Sequence, residues 1–142
     1  MFFELTYTSK AIPNLDANDV FLLQSKYREL NDRKGISGCQ VLHNNRFVGI
    51  LEGKEIKVRK LFSWIEEDDR HIDVTILANG LIDQRQFEQW NMIFQIDMGD
   101  SKVGMNEQLF KDNLISLTHL VEKRTYTSRI FWNSVRELLE KE

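Results

Sequence analysis

Two consecutive asparagines, Asn44 and Asn45, stand between Gly35-Ile36-Ser37-Gly38-Cys39-Gln40-Val41-Leu42-His43 and Arg46-Phe47-Val48-Gly49-Ile50-Leu51, and they leave this stretch few ways to fold. Asparagine tolerates positive φ, which both central residues of a type I′ turn require, and the flanking runs are rich in strand-forming types. The segment reads as a tight hairpin. A two-residue turn also sets the register: His43 faces Arg46, Leu42 faces Phe47, and Gln40 falls opposite Gly49 on the same face of the sheet.

The remaining elements assemble around that hairpin. Residues 2 to 8 alternate Phe2, Glu4, Thr6, Thr8 against Phe3, Leu5, Tyr7 and read as a first strand, broken by Pro13 and Asn14. Asp16 suits an N-cap, and Val20, Leu23, Tyr27 and Leu30 follow at helical spacing until Gly35, which predicts a helix over about 17–32. Glu52-Gly53 closes the hairpin, and Ile56, Val58, Leu61, Phe62 and Ile65 form the apolar stripe of a second helix ending about Glu67. His71 to Leu77 reads as a strand with Ile72, Val74 and Ile76 on one face, Ala78 to Arg85 as a connection, and Gln86 to Ile96 as a last strand. The expected fold is α+β: a ferredoxin-like β-α-β-β-α-β-β sheet with two helices on one face. Asp97 to Gly104 is polar and reads as a linker. Beyond it Phe110, Leu114, Leu117, Val121 and then Phe131, Val135, Leu138 define two tail helices, the second capped by Thr127 or Ser128. The expected division is residues 1–97 for the sheet domain and 98–142 for a linker and tail that packs on the sheet.

Composition narrows the function. The chain has 142 residues, 42% hydrophobic and 29% charged, with net charge −3, and so lacks the basic excess of a nucleic-acid binder. One cysteine, Cys39, makes no internal disulfide, and no Cys/His cluster has metal-ligand spacing. No run of 18 apolar residues occurs, so neither a signal peptide nor a membrane span is expected, and the expected location is the cytoplasm. No nucleophile–base spacing, phosphate-cradling glycine loop or HExxH pair is present, so the chain is not expected to be an enzyme.

Leu5-Thr6-Tyr7-Thr8-Ser9, Gly35-Ile36-Ser37-Gly38, Phe47-Val48-Gly49-Ile50-Leu51-Glu52-Gly53, Asp68-Asp69-Arg70-His71 and Arg85-Gln86-Phe87-Glu88-Gln89-Trp90-Asn91-Met92 resemble, in order and spacing, the BLUF family of flavin-binding blue-light sensors. The resemblance covers residues 2 to about 95, and the tail is similar to the two-helix appendage of short members. It implies FAD as cofactor, with FMN as the variant, bound between the two helices against the sheet. It implies Tyr7 as electron donor to the excited flavin, and Asn31, Arg70 and His71 beside the polar parts of the cofactor. Ile36, Phe47 and Leu51 would pack on the ring, with Gln40 and Gly49 beside it. Trp90 and Met92 would relay the change to partner surfaces, with Ser9 a hydrogen-bonding neighbour of that last strand. The family carries a switching glutamine where this chain has Gly49. Leu30 departs too, from a residue often polar in the family.

Taken singly, these residues have plainer readings. A strand tyrosine is commonly a core residue, Asn31 a helix terminus, Arg70-His71 a solvated turn, and Trp90 with Met92 core. Two functions therefore stand side by side: a photoreceptor that signals through a protein effector, in a homo-oligomer, and a flavin-free interaction module of the same fold. For Gln40, the resemblance implies an apolar residue. Two readings of its amide stand level: it reaches across Gly49 toward Tyr7 and the flavin, or it is an ordinary cross-strand filler or an edge residue bonded to backbone.

Overall fold

The computed structural model describes residues 1–13, 15, 22, 25, 35–87, 91–95 and 105–140, of which 91–95 and 105–110 are described as backbone alone. The elements run β1 (Phe2–Ala11), β2 (Ser37–His43), β3 (Arg46–Gly53), α1 (Glu55–Glu67), β4 (His71–Ile82), β5 (Asn91–Gln95), α2 (Met105–Leu120) and α3 (Tyr126–Glu140). Of the helix expected over 17–32, Leu22 and Ser25 are helical. The rest of that segment lies outside the described residues, as do Asn31, Trp90 and the linker 97–104.

The hairpin forms as its turn dictates. Asn44 and Asn45 take φ of 50° and 60°, and His43 pairs with Arg46, Leu42 with Phe47, and Gln40 with Gly49. The sheet order is β4-β1-β3-β2-β5. Every neighbouring pair is antiparallel except β2 with β5. This is the ferredoxin-like α+β arrangement with a fifth strand added beside β2.

Strand limits differ from the sequence pattern where a partner strand decides them. β1 continues to Ala11, and β4 runs on through Asn79-Gly80 to Ile82, a stretch expected to be a connection. The reason is pairing: Phe2 meets Ile82, Glu4 meets Gly80 and Leu5 meets Asn79, so a full-length partner overrides the weak strand preference of Asn-Gly. Ile72, Val74 and Ile76 do not share one face, because β4 carries an extra residue between Ile72 and Thr75. There Asp73 has φ of 54°, and the registers Tyr7–Ile76 and Lys10–Ile72 put the two isoleucines on opposite sides. β5 is shorter than expected, and Phe87 lies before it in irregular chain.

The two sheet faces carry separate cores. On one, Phe3, Leu5, Tyr7, Leu42, Phe47 and Leu51 pack with Val58, Leu61, Phe62 and Ile65 of α1. On the other, Cys39, Val41, Val48 and Ile50 are covered by Phe131, Trp132, Val135, Leu138 and Leu139 of α3 and by Phe87. Leu114 of α2 joins that cluster, with Ile115 and Leu117 packed against it. The cap of α3 is Thr125, two residues before the expected Thr127 and three before Ser128. Its hydroxyl accepts from the Ser128 N–H at 3.1 Å, while the Ser128 hydroxyl accepts from the Thr125 N–H at 3.2 Å.

Candidate functional site

Strand alternation delivers Phe3, Leu5, Tyr7 and Ala11 to the α1 face and Glu4, Thr6 and Thr8 to the tail face. Tyr7 is fully buried, its ring 5.6 Å from that of Phe62. Its direct partner on β3 is Gly49, and the direct partner of Gly49 on β2 is Gln40. The Tyr7 ring lies across the glycine: a Cβ at position 49 would stand 2.5 Å from Tyr7 Cζ and 2.6 Å from its hydroxyl. Through that opening the Gln40 Nε2 donates to the Tyr7 hydroxyl at 2.5 Å, both residues being buried.

Along the same face, Phe47 is buried with its ring 4.4 Å from the His71 ring, and Ile36 and Leu51 belong to the same core. Arg70, in the turn before β4, is held to Asp68 Oδ1 by its N–H at 2.9 Å and its Nε at 3.1 Å. Ser9 meets His71 Nδ1 at 2.7 Å. This corrects the expectation that Ser9 neighbours the last strand: β3 and β2 stand between β1 and β5. Met92 takes its place on β5 as the register partner of Cys39. Thus Tyr7, Gln40, Gly49, Phe47, Leu51, Ile36, Arg70, His71 and Ser9 come together.

Two features fit a planar ligand edged with carbonyls and ring nitrogens. Arg70 Nη1 and His71 Nε2 are buried and without a hydrogen-bond partner among the described residues, so each has a polar atom left for a ligand. Burial lowers the His71 pKa to about 4, with Asp68 opposing and Arg70 assisting, so the imidazole is neutral near pH 7 and offers one donor and one acceptor. The residues fit a flavin. Cys39 is buried with its thiol pKa pushed up by desolvation, which removes it from reactive chemistry.

The BLUF description, sensors of blue light using FAD, matches residues 2–93. The chain belongs to the BLUF family. It is 29% identical over 89 residues to the photoactivated adenylate cyclase subunit beta of Euglena gracilis, which covers 62% of this chain and 10% of that protein. The BlsA ground-state structure is 25% identical with a TM-score of 0.68, covering 100% of this chain and 90% of that one. A Klebsiella pneumoniae BlrP1 structure with FMN and cyclic diGMP is 29% identical with a TM-score of 0.63, covering 78% of this chain and 30% of that one. The chain spans about a tenth or less of the two curated cyclase relatives. As a BLUF domain, the chain is a flavin-using sensor of blue light.

A second polar network lies on the opposite face, and the sequence pattern gave little sign of it. Glu4 and Glu52 are directly opposed and wholly buried. Glu52 accepts from the Ser37 hydroxyl at 2.8 Å, the Gln86 N–H at 2.8 Å and the Phe87 N–H at 2.5 Å. The Thr125 hydroxyl donates to Glu4. A glutamate alternating with threonines along a strand reads as solvated, and only the docked tail buries it. A cleft of about 280 Å³, lined by Thr8, Arg46, Ser134 and Glu137 among others, also belongs to this tail side and contains no residue of the Tyr7 site.

Proposed function

We propose that this BLUF domain holds FAD, or FMN, against the Tyr7 face and converts blue-light absorption into a change of protein contacts, without turning over a substrate. Bound flavin supplies the absorption of blue light and the acceptor for one electron. The chain's own residues do the rest. Tyr7, buried and hydrogen-bonded, is the donor; Arg70 and His71 hold the polar edge, with Asn31 assigned the same task by the family resemblance; Phe47, Leu51 and Ile36 exclude water from the ring. Trp90 and Met92 are assigned the output, toward a protein effector or a second copy of the chain. The observation that carries this reading is the pair of buried atoms Arg70 Nη1 and His71 Nε2, both without a partner among the described residues, with the His71 ring packed on Phe47 of the face that buries Tyr7.

Purified protein, or protein mixed with FAD, should show the structured blue absorption of bound oxidised flavin. Arg70→Ala should weaken FAD binding by about 1.5–3 kcal/mol, the typical worth of a hydrogen bond to a charged group. Titration of the wild-type chain with FAD and FMN, followed by absorption and flavin fluorescence, checks both. No uptake of either flavin would overturn the reading in favour of an interaction module.

A further inference from the structure

Tyr7, Gly49 and Gln40 form one straight row across β1, β3 and β2. Neighbouring strands lie about 4.7–4.9 Å apart, so Tyr7 and Gln40 start roughly two spacings from each other, with a residue between them. Direct contact across an occupied middle position would be blocked. Glycine in the middle of a paired strand has no side chain to pack, and an aromatic neighbour laid over it supplies the missing cover. Tyr7 does this, and its hydroxyl arrives at the Gln40 amide at 2.5 Å. The ring has little room to withdraw, since it is wholly buried with Phe62 beside it. Gly49 is therefore a steric requirement of the Tyr7–Gln40 contact.

We propose that Gln40 is the positioning residue of the Tyr7 phenol and the first receiver of any change in its state, with Gly49 as the opening through which the two meet. The part of this that concerns light rests on the flavin reading above; the contact itself does not. A carboxamide offers a donor at one end and an acceptor at the other, so it can answer a change in the phenol's hydrogen bonding by presenting either. Gln40 lies on β2 and its register partner is Ile93 of β5. The receiver is thus on the strand adjoining β5, one strand nearer than any side chain at position 49 would be rooted.

One consequence runs against intuition. Gly49→Gln places a Cβ inside the space of the Tyr7 ring, so it breaks the contact instead of adding a second amide.

The test uses the full chain, labelled with nitrogen-15. In flavin-free protein labelled also with carbon-13, the Gln40 side-chain NH₂ resonances, assigned by through-bond correlation to the Gln40 backbone, should lie away from the solvent-exposed glutamine position and move on Tyr7→Phe and on Gly49→Ala. Thermal melting of Tyr7→Phe, Gln40→Leu and the double variant should be non-additive, the double losing about as much as either single. Resonances that ignore Tyr7→Phe, or additive losses, would overturn the contact. Tyr7→Phe keeps the ring over Gly49, so the resonance readout holds even where Gln40→Leu folds poorly. With FAD bound, a light-induced red shift of the flavin band should be present in the wild type and absent in Gln40→Leu. A shift that survives Gln40→Leu sinks the receiver role and leaves the flavin reading intact. A coupled pair in a chain that takes up no flavin does the reverse, supporting the contact and ending the flavin reading.

Discussion

His71 stands on the Tyr7 face after two irregularities of β4, whose register against β1 shifts between Thr6 and Tyr7 and again between Thr8 and Lys10. With Asp73 bulged at φ 54°, Ile72 follows Lys10 to the tail side, and His71 pairs with Ala11 on the α1 side, within reach of Ser9 and Phe47. Counted from Ile76, the partner of Tyr7, alternation without the extra residue at Asp73 would have sent His71 the other way. Glu4 shows the complementary effect, a charged residue type made costly by its cover. Burial raises its pKa above the ordinary 4.5, Glu52 across the strand pair raises it further, and the Thr125 hydroxyl works against both. An acid whose folded pKa lies above its unfolded one contributes stability that is present below the unfolded value and lost as pH rises through the folded one. Glu4→Gln keeps the shape and the acceptor for Thr125 but cannot ionise. Relative to the wild type it should gain stability as pH rises above about 4.5 and show little difference below. Melting midpoints of the two chains from about pH 4 to about pH 8 measure this. A difference that stays constant across the range would mean that Glu4 does not titrate with folding.

At the scale of elements, α3 is the piece whose attachment the structure specifies most closely. Thr125 gives it a reciprocal cap with Ser128, receives the Gln86 Nε2–H at 3.2 Å, and donates to Glu4 of β1. Thr125→Ala removes the cap and leaves the buried Glu4 with one fewer partner. It should cost about 1–2 kcal/mol, at the upper end for a lost N-cap, whereas Tyr126→Ala, at an exposed position beside it, should cost little. Urea denaturation of the two variants separates these outcomes; equal losses would show that the cap contributes nothing beyond helix propensity. What the sequence made legible divides along the same physical line. Asn44-Asn45 is a local signal, so the hairpin register, and with it the convergence of Gln40, Gly49, Phe47 and Leu51 on one face, could be read directly. The stripes of the tail helices could be read too, because helical periodicity is also local. The length of β4, the bulge at Asp73 and the Ser9–His71 contact depend on which strand lies alongside. The cap at Thr125 was hidden for a similar reason, since Thr127 and Ser128 are equally good capping types and only the observed start of α3 at Tyr126 decides among them.

At the scale of the whole molecule, the sheet is a wall shared by two chambers. β1 and β3 alternate their side chains between them, so Tyr7 and Glu4 stand on the same strand, facing the cofactor side and the tail side respectively. Any shift of β1 or β3 is felt in both. The tail chamber is closed by Phe131, Trp132, Val135, Leu138 and Leu139 of α3 against Cys39, Val41, Val48 and Ile50, with α2 resting on α3 through Leu114 and its neighbours. A chain cut after residue 97 would leave that sheet face bare, together with Phe87, and would strand Glu4 and Glu52 beside water without the Thr125 hydroxyl. Large contiguous apolar faces are not sustained by soluble monomers. The shortened chain should therefore aggregate, or bind a hydrophobic dye such as ANS, while the full chain does neither. Replacing Val135 and Leu139 by serine in the full chain should produce the same exposure with the tail covalently present, which separates loss of cover from loss of chain length. Light scattering and dye fluorescence read both. A shortened chain that remains monomeric, with the melting midpoint of the full one, would show that α3 rests on the sheet without supporting it.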